Sequence, residues 1–293
     1  VAARAFAHQG ASRLSSVRGM TRTLGVVSLG TMPYGDALAL QRAAAQARID
    51  GAIDHDLLLL VEHPAVITLG RSTHQANLLA DASVLADRGV EQFEVERGGD
   101  ITFHGPGQLV GYPIIDLRAH REDLHWYLRQ LEEVLTRALA SLGIAAERRP
   151  TLTGVWTNGR KIASIGVHAR NWVTWHGFAL NVTTDLSYFD LIVPCGIEQV
   201  VMTSVARELG LDAGAGGNET NAEDVGAAEG AEMMQRTTTA VVAAFAGVFG
   251  LATRDESLQP DLSDVRDVRA DRGGSGHPLS QPCSRHSRET GDG

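Results

Sequence analysis

The chain has 293 residues, of which 43% are hydrophobic and 21% charged, with a formal net charge of −9 at pH 7. That length and apolar share allow one sizeable domain, and the acidic balance excludes nucleic acid as the main partner, because phosphate binding needs a cationic surface. No run of about 18 apolar residues occurs, which excludes a transmembrane helix.

Residues 1–22 read as a flexible extension or an over-extended start. Residues 1–23 hold four Arg and three Ser, and the first acid is Asp36. That pattern also resembles a transit peptide, although a bacterial cytoplasmic location is the preferred reading. The domain proper is placed at 23–253. Leu24 to Leu29 reads as a strand, and Pro33 sets up a helix over Tyr34 to Ile49 that Gly51 stops. Asp56 to Glu62 contains Leu-Leu-Leu-Leu-Val, a strand buried on both faces. Val66 to Leu69 is a second strand, and Ala82 to Asp87 a short helix. Glu91 to Glu96, Ile101 to Phe103 and Leu109 to Leu117 read as further strands. The strongest helix signal spans Glu122 to Leu142, with one apolar stripe and Gly143 behind it. A strand through Gly154-Val155-Trp156 is followed by Asn158-Gly159, a two-residue hairpin signal. Arg160 to His168 is its partner strand, and His176 to Val182 another. Residues 212–230 read as a flexible insert, Met233 to Phe249 as a closing helix, and 254–293 as a disordered tail. The whole is an α+β single domain, a mixed β-sheet packed with helices.

Three clusters carry chemistry. Lys161 is the only lysine in the chain; the other 25 of 26 basic residues are arginine. Arginine stays protonated in proteins, whereas a lysine on an apolar surface can give up its proton, so a retained lysine suggests proton chemistry. Strand alternation puts Lys161 on one face with Ala163, Ile165 and Val167. Cys195 is one of two cysteines, 88 residues from Cys283, a spacing that makes neither a metal site nor a CxxC pair. Such cysteine usage suits a reducing compartment. Cys195 stands in Pro194-Cys195-Gly196 after an apolar run. A turn there exposes the thiol, a nearby base or ammonium activates it, and Gly196 leaves a backbone N–H for an oxyanion. The third cluster, Arg97-Gly98-Gly99 with His104-Gly105-Pro106-Gly107-Gln108, brings glycine turns close to an Arg and a His, a place for a polar or anionic group. No GxxxxGK[ST] phosphate loop occurs.

Taken together, Arg97-Gly-Gly-Asp-Ile-Thr-Phe-His-Gly-Pro-Gly-Gln108, Gly159-Arg-Lys-Ile-Ala-Ser-Ile-Gly-Val-His168, His176-Gly-Phe-Ala-Leu-Asn181 and Pro194-Cys-Gly196 resemble the lipoyl(octanoyl) transferase family. The similarity runs over about 24–210. It implies a biotin/lipoate protein ligase-like catalytic fold and a Cys/Lys dyad without cofactor or metal. Cys195 would attack the thioester of octanoyl-acyl carrier protein, with Lys161 taking the thiol proton. The acyl group would then pass to the lysine of lipoyl domains in 2-oxoacid dehydrogenase E2 subunits or glycine cleavage H protein. The implied pocket residues are Arg97, Gly98, Gly99, Asp100, Ile101, Thr102, Phe103 and His104, then Ser164, Ile165 and Gly166, then His176, Gly177, Phe178 and Ala179. His104 would position the thioester or the Cys. Arg71, Arg148, Arg149, Arg160 and Arg170 are candidates for docking acidic carriers. Asp100 stands where the family varies, and the insert and tail have no counterpart in it. Two other functions fit the same residues: an amidotransferase moving octanoyl from H protein to E2, and a non-catalytic acyl-carrier or lipoyl-domain binding protein.

Overall fold

A computed structural model of the chain describes residues 22–197, 199–211 and 226–256. The expected extension, most of the insert and most of the tail therefore lie outside the described residues. Eleven strands and five helices are assigned among them. In chain order they are β1 (Thr23–Thr31), α1 (Tyr34–Ile49), β2 (Asp56–Glu62), β3 (Val66–Leu69), α2 (Ala82–Asp87), β4 (Glu91–Glu94), β5 (Ile101–His104) and β6 (Gln108–Ile114). There follow α3 (Leu124–Ser141), β7 (Glu147–Arg149), β8 (Leu152–Thr157), β9 (Arg160–Arg170), β10 (Val173–Asn181), α4 (Val205–Glu208), α5 (Ala227–Phe249) and β11 (Ala252–Asp255).

Eight strands form one mixed sheet in the order β11-β1-β2-β6-β10-β9-β8-β7, and β4-β3-β5 form a second, small sheet. The leucine run of β2 explains the layering. Leu57, Leu59 and Val61 join Ala37, Leu40 and Ala44 of α1 on one face. Leu58 and Leu60 join Leu131, Leu135 and Leu139 of α3 and Phe245 of α5 on the other. Period-2 alternation in an all-apolar strand thus feeds two cores at once. Full burial of each of those α3 leucines contributes about 2 kcal/mol. Asp123 caps α3, accepting from Trp126 N–H at 3.0 Å, and Gly250 ends α5 in the left-handed region at φ +65°.

The sheet departs from expectation in four places. The helix α5 begins at Ala227, inside the stretch read as an insert. The strand β11 continues the chain past 253 and pairs in parallel with β1. It and β7 are short edge strands with charged, largely exposed residues, so neither carries an apolar alternation to read. The strand β6 stops at Ile114, and 117–119 form a 3₁₀ turn capped by Asp116. Finally, β9 and β10 form one long hairpin. Its turn is Asn171-Trp172, both with positive φ at 49° and 63°, a turn geometry reached without glycine. The Asn158-Gly159 hairpin, at φ 49° and 79°, is the expected one.

The small sheet lies against the middle of the large one. Gly98 N–H donates to Val167 O of β9 at 2.9 Å, and a Cβ at Gly166 would stand 2.8 Å from Gly98 O. Gly166 therefore lets the loop carrying Gly98 approach the large sheet, and a cavity opens along this seam.

Candidate active site

The cavity has a volume of about 210 Å³. It is larger than an apolar void of roughly 150 Å³, which takes benzene. Its floor is β6, β9 and β10, with Val110, Ile165, Phe178 and Ala179, and one wall is β5 with its preceding loop. At one end stands Cys195. The turn Pro194–Gly196 holds it in the left-handed region, φ 57° and ψ 21°, a conformation unusual for a non-glycine residue and one that marks a constrained site. Val193 N–H donates to Asn77 O at 2.7 Å, and Gly196 N–H to Val193 O at 3.0 Å. The Gly196 N–H is therefore spent within the turn, which corrects its reading as an oxyanion donor.

Lys161 Nζ lies 3.0 Å from Cys195 Sγ. The route to that contact differs from simple alternation. The register of β8 against β9 shifts between Val155↔Ala163 and Trp156↔Lys161, which inserts Ile162 as an extra residue, a β-bulge. Ile162 and Ala163 consequently both pack into the α3 core, and Lys161 is released from the face of Ala163. It comes to the side of Ser164, whose Oγ lies 3.8 Å from the same sulfur. Lys161 is wholly buried, with its Nζ 5.3 Å from the centre of the Trp156 ring. Its backbone is fixed by Lys161 N–H to Val201 O at 2.8 Å and Thr203 N–H to Lys161 O at 2.9 Å. Gly154, at φ +135°, makes room for it: a Cβ there would be 2.9 Å from Lys161 Cε.

Burial opposes ionisation of the Cys195 thiol, but the Lys161 ammonium beside it, the Arg97 charge and the Ser164 hydroxyl outweigh burial and hold the thiol below its ordinary pKa. Arg97 is buried, and its hydrogen bonds go to neutral oxygens: Thr68 O at 2.7 Å, Thr68 Oγ1 at 2.9 Å and Gly98 O at 3.2 Å. Such an arrangement can activate a thiol as a nucleophile.

Tyr34, His104, Tyr112 and His176 also line the cavity. Burial pushes His104 down to about 3 and neighbouring His63 down to about 4, so both rings are neutral at pH 7. His104 Nδ1 is 2.8 Å from Gln108 Oε1, Gln108 Nε2 donates to Asn181 Oδ1 at 2.9 Å, and Asn181 Nδ2 donates to Thr203 O at 2.9 Å. This relay ends on the segment that clasps Lys161. His176 has φ +55° within a strand. The β6–β10 register sets Pro113 opposite it. Proline offers no N–H to the ladder, and His176 N–H donates instead to Gln41 Oε1 at 3.0 Å.

Of the residues named from the sequence, Arg97, Gly99, Asp100, Thr102, His104, Ser164, Ile165, Gly166, His176, Gly177, Phe178, Ala179 and Cys195 line the cavity. Gly98 instead bridges the two sheets. Ile101 and Phe103 point the other way from β5, into a core with Phe189 and Leu191; strand alternation separates them from Thr102 and His104 and could have done so from the sequence. Tyr34, Tyr112, Leu152 and Ile197 also line the cavity, and the sequence reading missed them. The signal at Tyr34 and Tyr112 was a hydroxyl inside an otherwise apolar stretch. Among the proposed docking arginines, Arg160 is held by Glu208 at 2.8 Å, and Arg149 stacks on Trp156 at 5.3 Å. Arg71 and Arg170 are exposed. Among the described residues, no helix is long and apolar enough to cross a membrane, and no His/Cys/Asp/Glu group is arranged to hold a metal.

Residues 33–228 match the family described as Lipoyl protein ligase A/B catalytic domain. The chain is 55% identical over 179 residues to an octanoyltransferase of Solibacter usitatus, covering 61% of this chain and 80% of that protein. It is 40% identical over 238 residues to an octanoyltransferase of Gloeobacter violaceus, covering 81% and 96%. Among solved structures, a putative lipoate protein ligase from T. acidophilum with bound lipoic acid superposes with a TM-score of 0.60 at 17% identity, over 86% of this chain and 96% of that one. A lipoate-protein ligase A bound with ATP gives 0.62 at 16%, over 86% and 95%. These two likenesses concern the fold.

Proposed function

We propose, since this chain belongs to the Lipoyl protein ligase A/B catalytic domain family and is an acyltransferase of its octanoyltransferase branch, that it moves an octanoyl group from octanoyl-acyl carrier protein to the lysine of lipoyl domains, through a thioester on Cys195. The observation that carries the proposal is the 3.0 Å contact between Lys161 Nζ and Cys195 Sγ, the sulfur lining the cavity. A binding protein has no need of a buried lysine set against a thiol.

In the proposed reaction the thiol proton moves to Lys161, and the thiolate attacks the donor's thioester carbon. The donor's thiol leaves and takes that proton back, so Cys195 carries the acyl group and Lys161 is neutral. The octanoyl chain lies along Ile165, Phe178, Ala179 and Val110, with its methyl end toward Tyr34 and Tyr112. The acceptor lysine of an E2 subunit or H protein then attacks the thioester, giving the amide and free Cys195. The step needs no ATP, because the donor is already activated.

Mass spectrometry of the intact protein incubated with octanoyl carrier protein, without acceptor, tests this. One octanoyl group should appear on Cys195 in ATP-free buffer and vanish when a lipoyl domain is added. Octanoyl transfer by a Cys195→Ser variant at the wild-type rate would sink the covalent route. An amidotransferase would instead load Cys195 from octanoylated H protein and ignore the carrier.

A further inference from the structure

The charges lining the cavity set a problem for the second half of the reaction. Arg97 is a buried cation, and Lys161, also buried, has returned its proton to the departing thiol. Once Cys195 carries an acyl group, its sulfur is neutral. A protein lysine arrives as an ammonium, since its ordinary pKa is about 10.4, and it meets the Arg97 charge at the cavity wall. Desolvating a cation without a partner is costly.

Among the described residues that line the cavity, one side chain is a carboxylate: Asp100. It stands against the nucleophile's turn, its Oδ2 2.5 Å from where a Cβ of Gly196 would be. Glycine at 196 leaves nothing between that oxygen and the turn. Asp100 Oδ1 accepts from Ile101 N–H at 2.7 Å, and Oδ2 from Asn77 Nδ2 at 2.5 Å. Asn77 also anchors the turn through its carbonyl, which accepts from Val193 N–H. A carboxylate has about four acceptor positions. Two are taken here by neutral donors, and among the described residues no further hydrogen bond to the carboxylate is made, which leaves room for a third.

Resting on the proposed function, we infer that Asp100 seats the ammonium of the acceptor lysine beside the Cys195 thioester. The ammonium gives one proton to neutral Lys161. The resulting amine attacks the thioester carbon, the C–S bond breaks, and the second proton passes to the Cys195 sulfur. The products are an amide, a thiol and a protonated Lys161, so charge and protons balance.

The test separates the two half-reactions. Wild type, Asp100→Asn and Asp100→Ser are loaded with octanoyl on Cys195. Each is then discharged either by a lipoyl domain or by hydroxylamine, an amine that is uncharged at pH 7. In the uncharged variants KM for the lipoyl domain should rise roughly 30-fold or more relative to any change in acylation or in hydroxylamine discharge. Asp100→Glu should recover most of that loss. An unchanged acceptor KM in both uncharged variants overturns the assignment. So does a parallel loss of hydroxylamine discharge, which would make Asp100 a brace for the turn. A wild-type protein that takes up no octanoyl on Cys195 overturns the proposed function itself, and this inference with it.

Discussion

An ammonium 3.0 Å from a sulfur stabilises the thiolate as long as it stays charged. The variants of Lys161 therefore separate charge from proton transfer. Iodoacetamide alkylation of wild-type Cys195 should persist below the pH at which an ordinary thiol falls silent. Lys161→Ala should move that midpoint upward, because the group that most offsets burial is gone. Lys161→Arg should keep much of the low midpoint yet lose octanoyl transfer by about 10²–10⁴-fold, the usual worth of a general base. Transfer by the Arg variant at the wild-type rate would count against Lys161 as base. Lys161 stood out in the sequence, because a lone Lys in an arginine-rich chain is conspicuous. Its approach to the thiol was not legible, since it depends on a left-handed Cys195 and a bulge that no residue type announces.

At the scale of elements, β8 and β9 together make the lysine's socket. Gly154 belongs to it through its backbone, at φ +135°, with Ala163 O 2.7 Å from a would-be Cβ. Gly154→Ala should cost about 1–3 kcal/mol of stability and, by pushing on Lys161, raise the alkylation midpoint of Cys195. A midpoint that stays in place while the melting temperature falls would show that the socket tolerates the methyl. Leu135→Ala, on the other side of the same sheet, should cost about 3 kcal/mol without moving that midpoint; chemical denaturation and alkylation read the two effects separately. The helices α1 and α3 and the strand β2 were legible because apolar periodicity and burial agree there. The edge strands β7 and β11 were not, because their pairing is made by backbone alone. The bulge at Ile162 was invisible for a related reason: an extra residue in an apolar strand leaves the pattern of residue types intact while turning a side chain to the other face.

At the scale of the whole molecule, neutral histidines tie stability to pH. His63 is held at about 4 and His104 at about 3, against about 6.5 in the unfolded chain. Below pH 6.5 the unfolded state binds protons that the folded state refuses, so stability falls as pH falls. Between pH 7 and 5 each ring should contribute a loss of about 2 kcal/mol. Urea denaturation at the two pH values measures it, and the difference should shrink in His104→Gln. Equal stability at both values would contradict the buried, neutral rings. The mixed sheet and its helices follow from the sequence, but the seam between the two sheets does not. It rests on Gly166, whose value lies in the side chain it lacks.

The lone lysine has a further consequence. A protein that carries a reactive thioester and presents it to lysines risks acylating its own surface. Over these 293 residues the only side-chain amine is Lys161, and it has no exposed surface. Every other basic side chain is a guanidinium or an imidazole, neither of which forms a stable amide. Arginine keeps the cationic patches without offering a competing nucleophile, so the described surface is inert to the proposed chemistry and the acyl group leaves on the partner's lysine.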